Sequence, residues 1–228
     1  MPCSETSADT AGYLQLLLAD GRLPTGAHTQ SAGAEPAFLA GMPLARVPEL
    51  ITTRLRTVTE VEAATAVVAR ACWLRNDLGS RLESMARVDA AWRARTLPDA
   101  ARAASDSLGR GYARLARAVW GVDLGPMLLC RAVVVGATCG AAGLGPEQTA
   151  TLVGFDDVQT VIAAALKLEP FDPLVGVRWA VDAADEVKAL VGRVADAEST
   201  ADIPARSAPL LEEWAQRHAT EERRLYRA

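Results

Sequence analysis

Only two histidines, His28 and His218, occur in this chain of 228 residues, and they stand at opposite ends of it. Neither lies beside a Ser, Cys or carboxylate in a spacing that would build an activated nucleophile. The paired acids Asp156-Asp157 and Asp185-Glu186 are adjacent, so on a helix they diverge and read as solvated charges, not as a general acid facing a base. No GxxxxGKS/T phosphate loop, dinucleotide fingerprint or HExxH pair is present. The four cysteines, Cys3, Cys72, Cys130 and Cys139, match no zinc spacing and read as small buried hydrophobes in a reducing cytoplasm. The expectation is a protein that is not an enzyme and that carries neither a cofactor nor a metal site of its own.

The residue types that remain are those that bind. From Leu16 to Gly41 a leucine-rich run ends at Asp20 and gives way to Gly, Pro, Thr, His and Ser. Pro24 fixes its own φ and pushes Leu23 toward extended geometry, and Gly26 opens conformations closed to other residues. Ser31 is placed to cap a second short helix, with Glu35 at the positive end of its dipole. Such a segment reads as a shaped surface loop offering backbone and small polar groups to a partner, or more plainly as an inter-helix connection.

The elements that must position this loop are helices. Half of the residues are hydrophobic and only 5% are aromatic, and no stretch alternates apolar with polar residues as a half-buried strand would. The pattern predicts an all-α, single-domain bundle of about nine to ten helices over residues 1–228. Segments run Ala11–Asp20, Ser31–Ala40, Val47–Asn76, Ser80–Arg95, Asp99–Trp120, Met127–Ala142, Glu147–Leu168, Asp172–Ala197 and Ala208–Tyr226. Residues 1–9 are expected to be disordered, and 204–228 to form a partner-dependent tail behind a polar tether, Asp196–Ser207. Leu174, Val177, Val181, Ala184, Val187, Val191 and Val194 recur at steps of three and four and predict one apolar stripe. Ala132–Ala142, apolar on every side and rich in small residues, predicts a central helix that neighbours approach closely. The longest uninterrupted apolar run, Ala132–Leu144, falls short of the roughly 20 residues of a membrane span, and the N-terminus has no secretory pattern.

The net charge of −4 argues against nucleic acid as a partner. Its distribution is uneven: Arg54–Arg131 holds 13 basic against 8 acidic residues, and Ala132–Ile203 holds 4 against 11. This suggests faces for different partners or, more simply, solvated helix surfaces.

Three regions share one resemblance. Asp20, Leu23-Pro24-Thr25-Gly26-Ala27-His28, Ser31, Gly33 and Glu35 join a helix end, a Leu-Pro-x-Gly turn and a Ser-x-Gly-x-Glu helix start in one register, which resembles the N-terminal signature of the urease accessory protein UreF. Ser105 to Arg117, with Gly109-Arg110-Gly111-Tyr112, resembles a helix of that family. The tail with His218 and Arg224-Leu225-Tyr226-Arg227 resembles its C-terminus. A weaker match includes Lys167. The chain departs from the family at Gln30, Ala32 and Ala34, and at Pro170–Gly176, where Pro-Leu-Gly-Gln is usual.

The resemblance implies a cytoplasmic, homodimeric, non-catalytic adaptor for nickel insertion, binding UreD (also called UreH) and the GTPase UreG, and through them apo-urease. GTP hydrolysis is coupled to delivery, and nickel is cargo, not a resident cofactor. Neither nucleic acid nor membrane is an implied partner. The implied contact residues are Leu23, Pro24, Gly26, His28, Ser31, Gly33 and Glu35 in the loop, Arg110 and Tyr112 on the helix, Lys167, and Arg223, Leu225, Tyr226 and Arg227 in the tail. The alternative is a general α-helical interaction module unrelated to urease.

Overall fold

The computed structural model describes residues 8–75, 77–221, 225 and 226. Among these the chain is all-α: α1 (Ala8–Leu18), α2 (Ala34–Leu39), α3 (Val47–Leu55), α4 (Val58–Arg75), α5 (Leu78–Arg93), α6 (Asp99–Trp120), α7 (Arg131–Ala141), α8 (Pro146–Leu168), α9 (Pro173–Asp182), α10 (Ala184–Val194) and α11 (Pro209–His218). Local chemistry sets the boundaries. Asp77 accepts the Ser80 N–H at the start of α5, and Asp172 accepts that of Leu174 before Pro173 opens α9.

Helix α4 is the axis of the bundle. It is buried along most of its length and is flanked by α3, α5, α7, α8 and α10, with α7 its most extensive neighbour. The small residues of α7 allow that approach: a Cβ on Gly136 would sit 2.1 Å from the Ala66 carbonyl oxygen. The expectation for Ala132–Ala142 holds, because α7 is buried from Ala132 to Gly140. Helix α8 is also long and apolar enough, by length and composition, to cross a membrane. The sequence reading passed over it, and it packs as a core helix against α2, α3, α4, α9 and α10.

Several expectations need correction. The predicted Val47–Asn76 helix is two helices, α3 and α4, broken where the Thr57 hydroxyl bonds the Thr53 carbonyl and α4 starts afresh, and Asn76 lies outside the described residues. Asp172–Ala197 breaks at Ala183, which turns the apolar stripe. Leu190 and Val194 of α10 are buried, whereas Leu174, Val177 and Val181 of α9 are exposed. The segment predicted from Met127 becomes helical only at Arg131, and the last helix ends at His218 instead of continuing to Tyr226. The Asp196–Ser207 connection is no loose tether: Arg95 donates to the Thr200 and Ile203 carbonyls, and Ile203 is buried. Of the N-terminal expectation, residues 8 and 9 already belong to α1, and residues 1–7 lie outside the described residues.

The charge asymmetry also has an internal meaning. Arg54 pairs with Asp157, Arg131 with Asp156, and Arg56 with Glu186, so basic side chains of the first half meet acidic ones of the second. Arg193 returns the exchange to Glu60. The halves are thus held together by the charges that distinguish them.

Substituting Gly136→Ala forces a methyl into the α4 backbone. Urea denaturation should show a loss of about 1–3 kcal/mol, and unchanged stability would mean that the two helices can separate freely.

Candidate functional site

The loop between α1 and α2 is built turn by turn. Asp20, at the end of α1, binds the backbone N–H and guanidinium of Arg22, which draws its carboxyl down to about 2. Thr25 N–H donates to Leu23 at 2.7 Å, and Gly26 follows at φ +85°, opening a single 3₁₀ turn, Ala27–Thr29. His28 lies exposed on that turn.

Gly33, at φ +81°, is the N-cap of α2. Ser31 does not cap the helix with its side chain as expected, because α2 starts three residues later. Ser31 is buried, and its carbonyl accepts the Ala34 N–H. Ala32 takes φ +49°. A side chain at positive φ costs about 1–2 kcal/mol, and this is one of the positions where the sequence departs from the family pattern.

The loop is seated on α6 through a glycine. A Cβ on Gly111 would lie 2.2 Å from the Thr25 carbonyl oxygen, so only glycine lets the loop backbone rest there. Arg114 donates to the Pro24 carbonyl at 3.2 Å. Tyr112 is buried beneath, and burial first, then the negative charge of Asp156, pushes its phenol up. Arg110 points into solvent from the same helix and has no ion-pair partner among the described residues.

Glu35 closes the arrangement. Its buried carboxylate accepts the Leu225 N–H at 2.6 Å, the Tyr226 N–H at 2.8 Å and His218 Nε2 at 2.9 Å. The His218 contact is a hydrogen bond in the tautomer that places the ring N–H on Nε2. Tyr226 is 5% exposed, its ring 5.0 Å beneath the Lys167 ammonium, while Leu225 remains 54% exposed. Burial and the Glu35 charge raise the Tyr226 phenol. Residues distant in sequence therefore form one continuous patch: Arg110 to Arg114, Pro24 to Glu35, His218 with Leu225 and Tyr226, and Lys167. Arg223 and Arg227 lie outside the described residues.

The sequence reading gave no contact to Thr25 or Arg114 and no role inside the chain to His218. A carbonyl that receives a distant glycine or arginine leaves no trace in residue spacing, and an isolated His on an amphipathic helix does not reveal a carboxylate from another element. Also missed was a cleft of about 180 Å³ beside the loop, bordered by Gly33, Arg54, Thr59, Glu62, Arg131 and Asp157. Its charged floor is closed on itself by the Arg54–Asp157 and Arg131–Glu62 pairs. Among the described residues no group of three or more His, Cys, Asp or Glu side chains is placed to hold a metal ion. Cys130 and Cys139 are buried, and burial pushes the Cys139 thiol up to about 12, where it is a poor metal ligand.

Relief of the strained residue gives a direct check on the loop. Ala32→Gly should raise stability by about 1 kcal/mol in urea denaturation, and a loss of stability would show that the positive φ is not held in solution.

Comparison with known proteins identifies the family of the chain. The UreF family model matches residues 45–184. The urease accessory protein UreF of Mycolicibacterium vanbaalenii is 36% identical over 221 residues, covering 92% of this chain and 96% of that protein. The UreF proteins of Mycobacterium sp. strain JLS and Mycobacterium tuberculosis H37Rv are 38% and 36% identical, with the same coverage. Those alignments extend beyond the family model, over nearly the whole chain. The chain belongs to the UreF family of urease accessory proteins, and it is an accessory protein, not an enzyme.

Proposed function

We propose that this chain is a cytoplasmic adaptor for nickel insertion into apo-urease, joining a UreD-type (UreH-type) accessory protein to the UreG GTPase and coupling GTP hydrolysis to nickel release. Nickel passes as cargo of the complex. The observation that carries this reading is the assembly of the loop, the Gly-Arg-Gly helix and the C-terminal tail into one patch in a member of this family. UreD contacts are assigned to the exposed Pro24, His28 and Leu225 with the half-buried Leu23, and Glu35, Ser31, Gly26, Gly33 and Tyr226 hold the shape of the patch beneath. Arg110 is assigned to recruitment of UreG, as an exposed donor for a carboxylate or phosphate.

The adaptor acts as a homodimer in this reading, and α9 supplies the surface. Leu174, Val177 and Val181 expose 71%, 60% and 67% of their area along one helix. Arg178 and Asp182 flank them, so two antiparallel copies of α9 would place each charge near the opposite charge of its mate.

The test is a urease operon deleted for its own UreF and supplied with this chain together with its cognate UreD and UreG. Nickel-dependent urease activity should return, and should be lost when this chain alone is left out. A Val177→Glu, Val181→Glu double variant should run as a monomer in light scattering and fail to restore activity. No activity with a matched, soluble set would overturn the adaptor reading, and a variant that stays dimeric would remove α9 from the interface.

A further inference from the structure

We propose that the groove between α6 and the 121–130 connection is a docking site for an acidic amphipathic segment of a partner protein. It encloses about 500 Å³ over an apolar floor in which Met127 and Ala113 are half-buried and Val122, Leu129 and Val134 are buried. The groove is fixed by the backbone: a Cβ on Gly109 would stand 2.1 Å from the Leu129 carbonyl oxygen, so the connection lies directly on the helix. One rim carries Arg110, Arg114 and Arg117 at steps of four and three, a single edge of α6. Leu128, 47% exposed, lies among the residues that border it.

The rim is short of negative charge. Arg117 faces Asp123 at a long 3.7 Å, Arg114 gives a donor to the Pro24 carbonyl, and Arg110 meets no carboxylate among the described residues. A segment that lays leucine-like side chains on the floor and a row of Asp or Glu along the rim satisfies both features at once. A phosphate polyanion would engage the rim and leave the apolar floor uncovered, and the chain's net charge of −4 opposes it. The Arg114–Pro24 bond also ties this groove to the signature loop, so a segment seated here borders the patch assigned to the accessory partners. The inference rests on the adaptor reading, since it supplies the recognition chemistry for one of those partners.

The experiment measures binding of the full chain to its cognate UreG and UreD-type proteins, at low and high salt, for wild type, R110E/R117E and L128E. Each substituted side chain is solvent-exposed, and circular dichroism confirms that the helical signal is kept. The proposal expects both variants to weaken binding to one of the two proteins by about tenfold or more, with the wild-type affinity falling as salt rises. Wild-type affinity in both variants overturns the groove and the assignment of Arg110 to UreG, and leaves the adaptor role of the chain standing. Failure of the wild-type chain to bind either protein overturns both. Loss in R110E/R117E with full binding in L128E also overturns the amphipathic segment, as does arginine-dependent binding to a short DNA duplex or to phosphatidylserine vesicles with protein binding unchanged.

Discussion

A carboxylate withdrawn from water must be met by donors, and among the described residues Glu35 finds three of them in the last eleven positions of the chain. Two are backbone N–H groups of Leu225 and Tyr226 and the third is His218 Nε2. Hydrogen bonds to a charged acceptor are worth about 1.5–3 kcal/mol each, and removing them leaves a buried charge uncompensated. The loop, α2 and the tail are therefore one structural unit even though some 190 residues separate their ends. Because the tail donors are main-chain groups, its position is set by backbone geometry, and the Leu225 side chain remains free to face outward.

The remainder of the molecule holds that unit in place by two means. Close backbone contacts at Gly111 and Gly109 seat the loop and the 121–130 connection on α6, as Gly136 seats α7 on α4. Ion pairs exchanged between the basic and acidic halves then fix α3 and α4 to α8 and α10. Arg54, Arg131 and Asp157 are largely buried, so their value lies in fixing which surfaces meet more than in net stabilisation. Among the described residues these polar side chains hold shape, while Arg110 is left exposed at the surface of α6.

The fold class was legible in the sequence because helical periodicity, proline at helix starts and glycine after helix ends all agreed. Gly41, Gly121 and Gly143 follow α2, α6 and α7 with positive φ, as such punctuation requires. The breaks at Thr57 and Ala183 were hidden, since neither residue is a strong helix breaker and the turns serve tertiary packing on α8. Loop, helix and tail were each visible as segments, but their junctions were not. A glycine facing a distant carbonyl, or a glutamate awaiting two amides, is specified only once the helices have been packed. The tail is expected to reach for a partner; within the chain its aromatic residue lies beneath Lys167 and Leu225 stays exposed.

The central claim is that Glu35 makes the tail an integral part of the signature loop. Amide hydrogen exchange of the full chain, wild type against Glu35→Gln, measures this at the two amides concerned. The account predicts that Leu225 and Tyr226 are protected in the wild type and that their protection falls by orders of magnitude in the variant, while α4 and α7 are unaffected. Wild-type amides at 225 and 226 that exchange as fast as an unstructured peptide would contradict it.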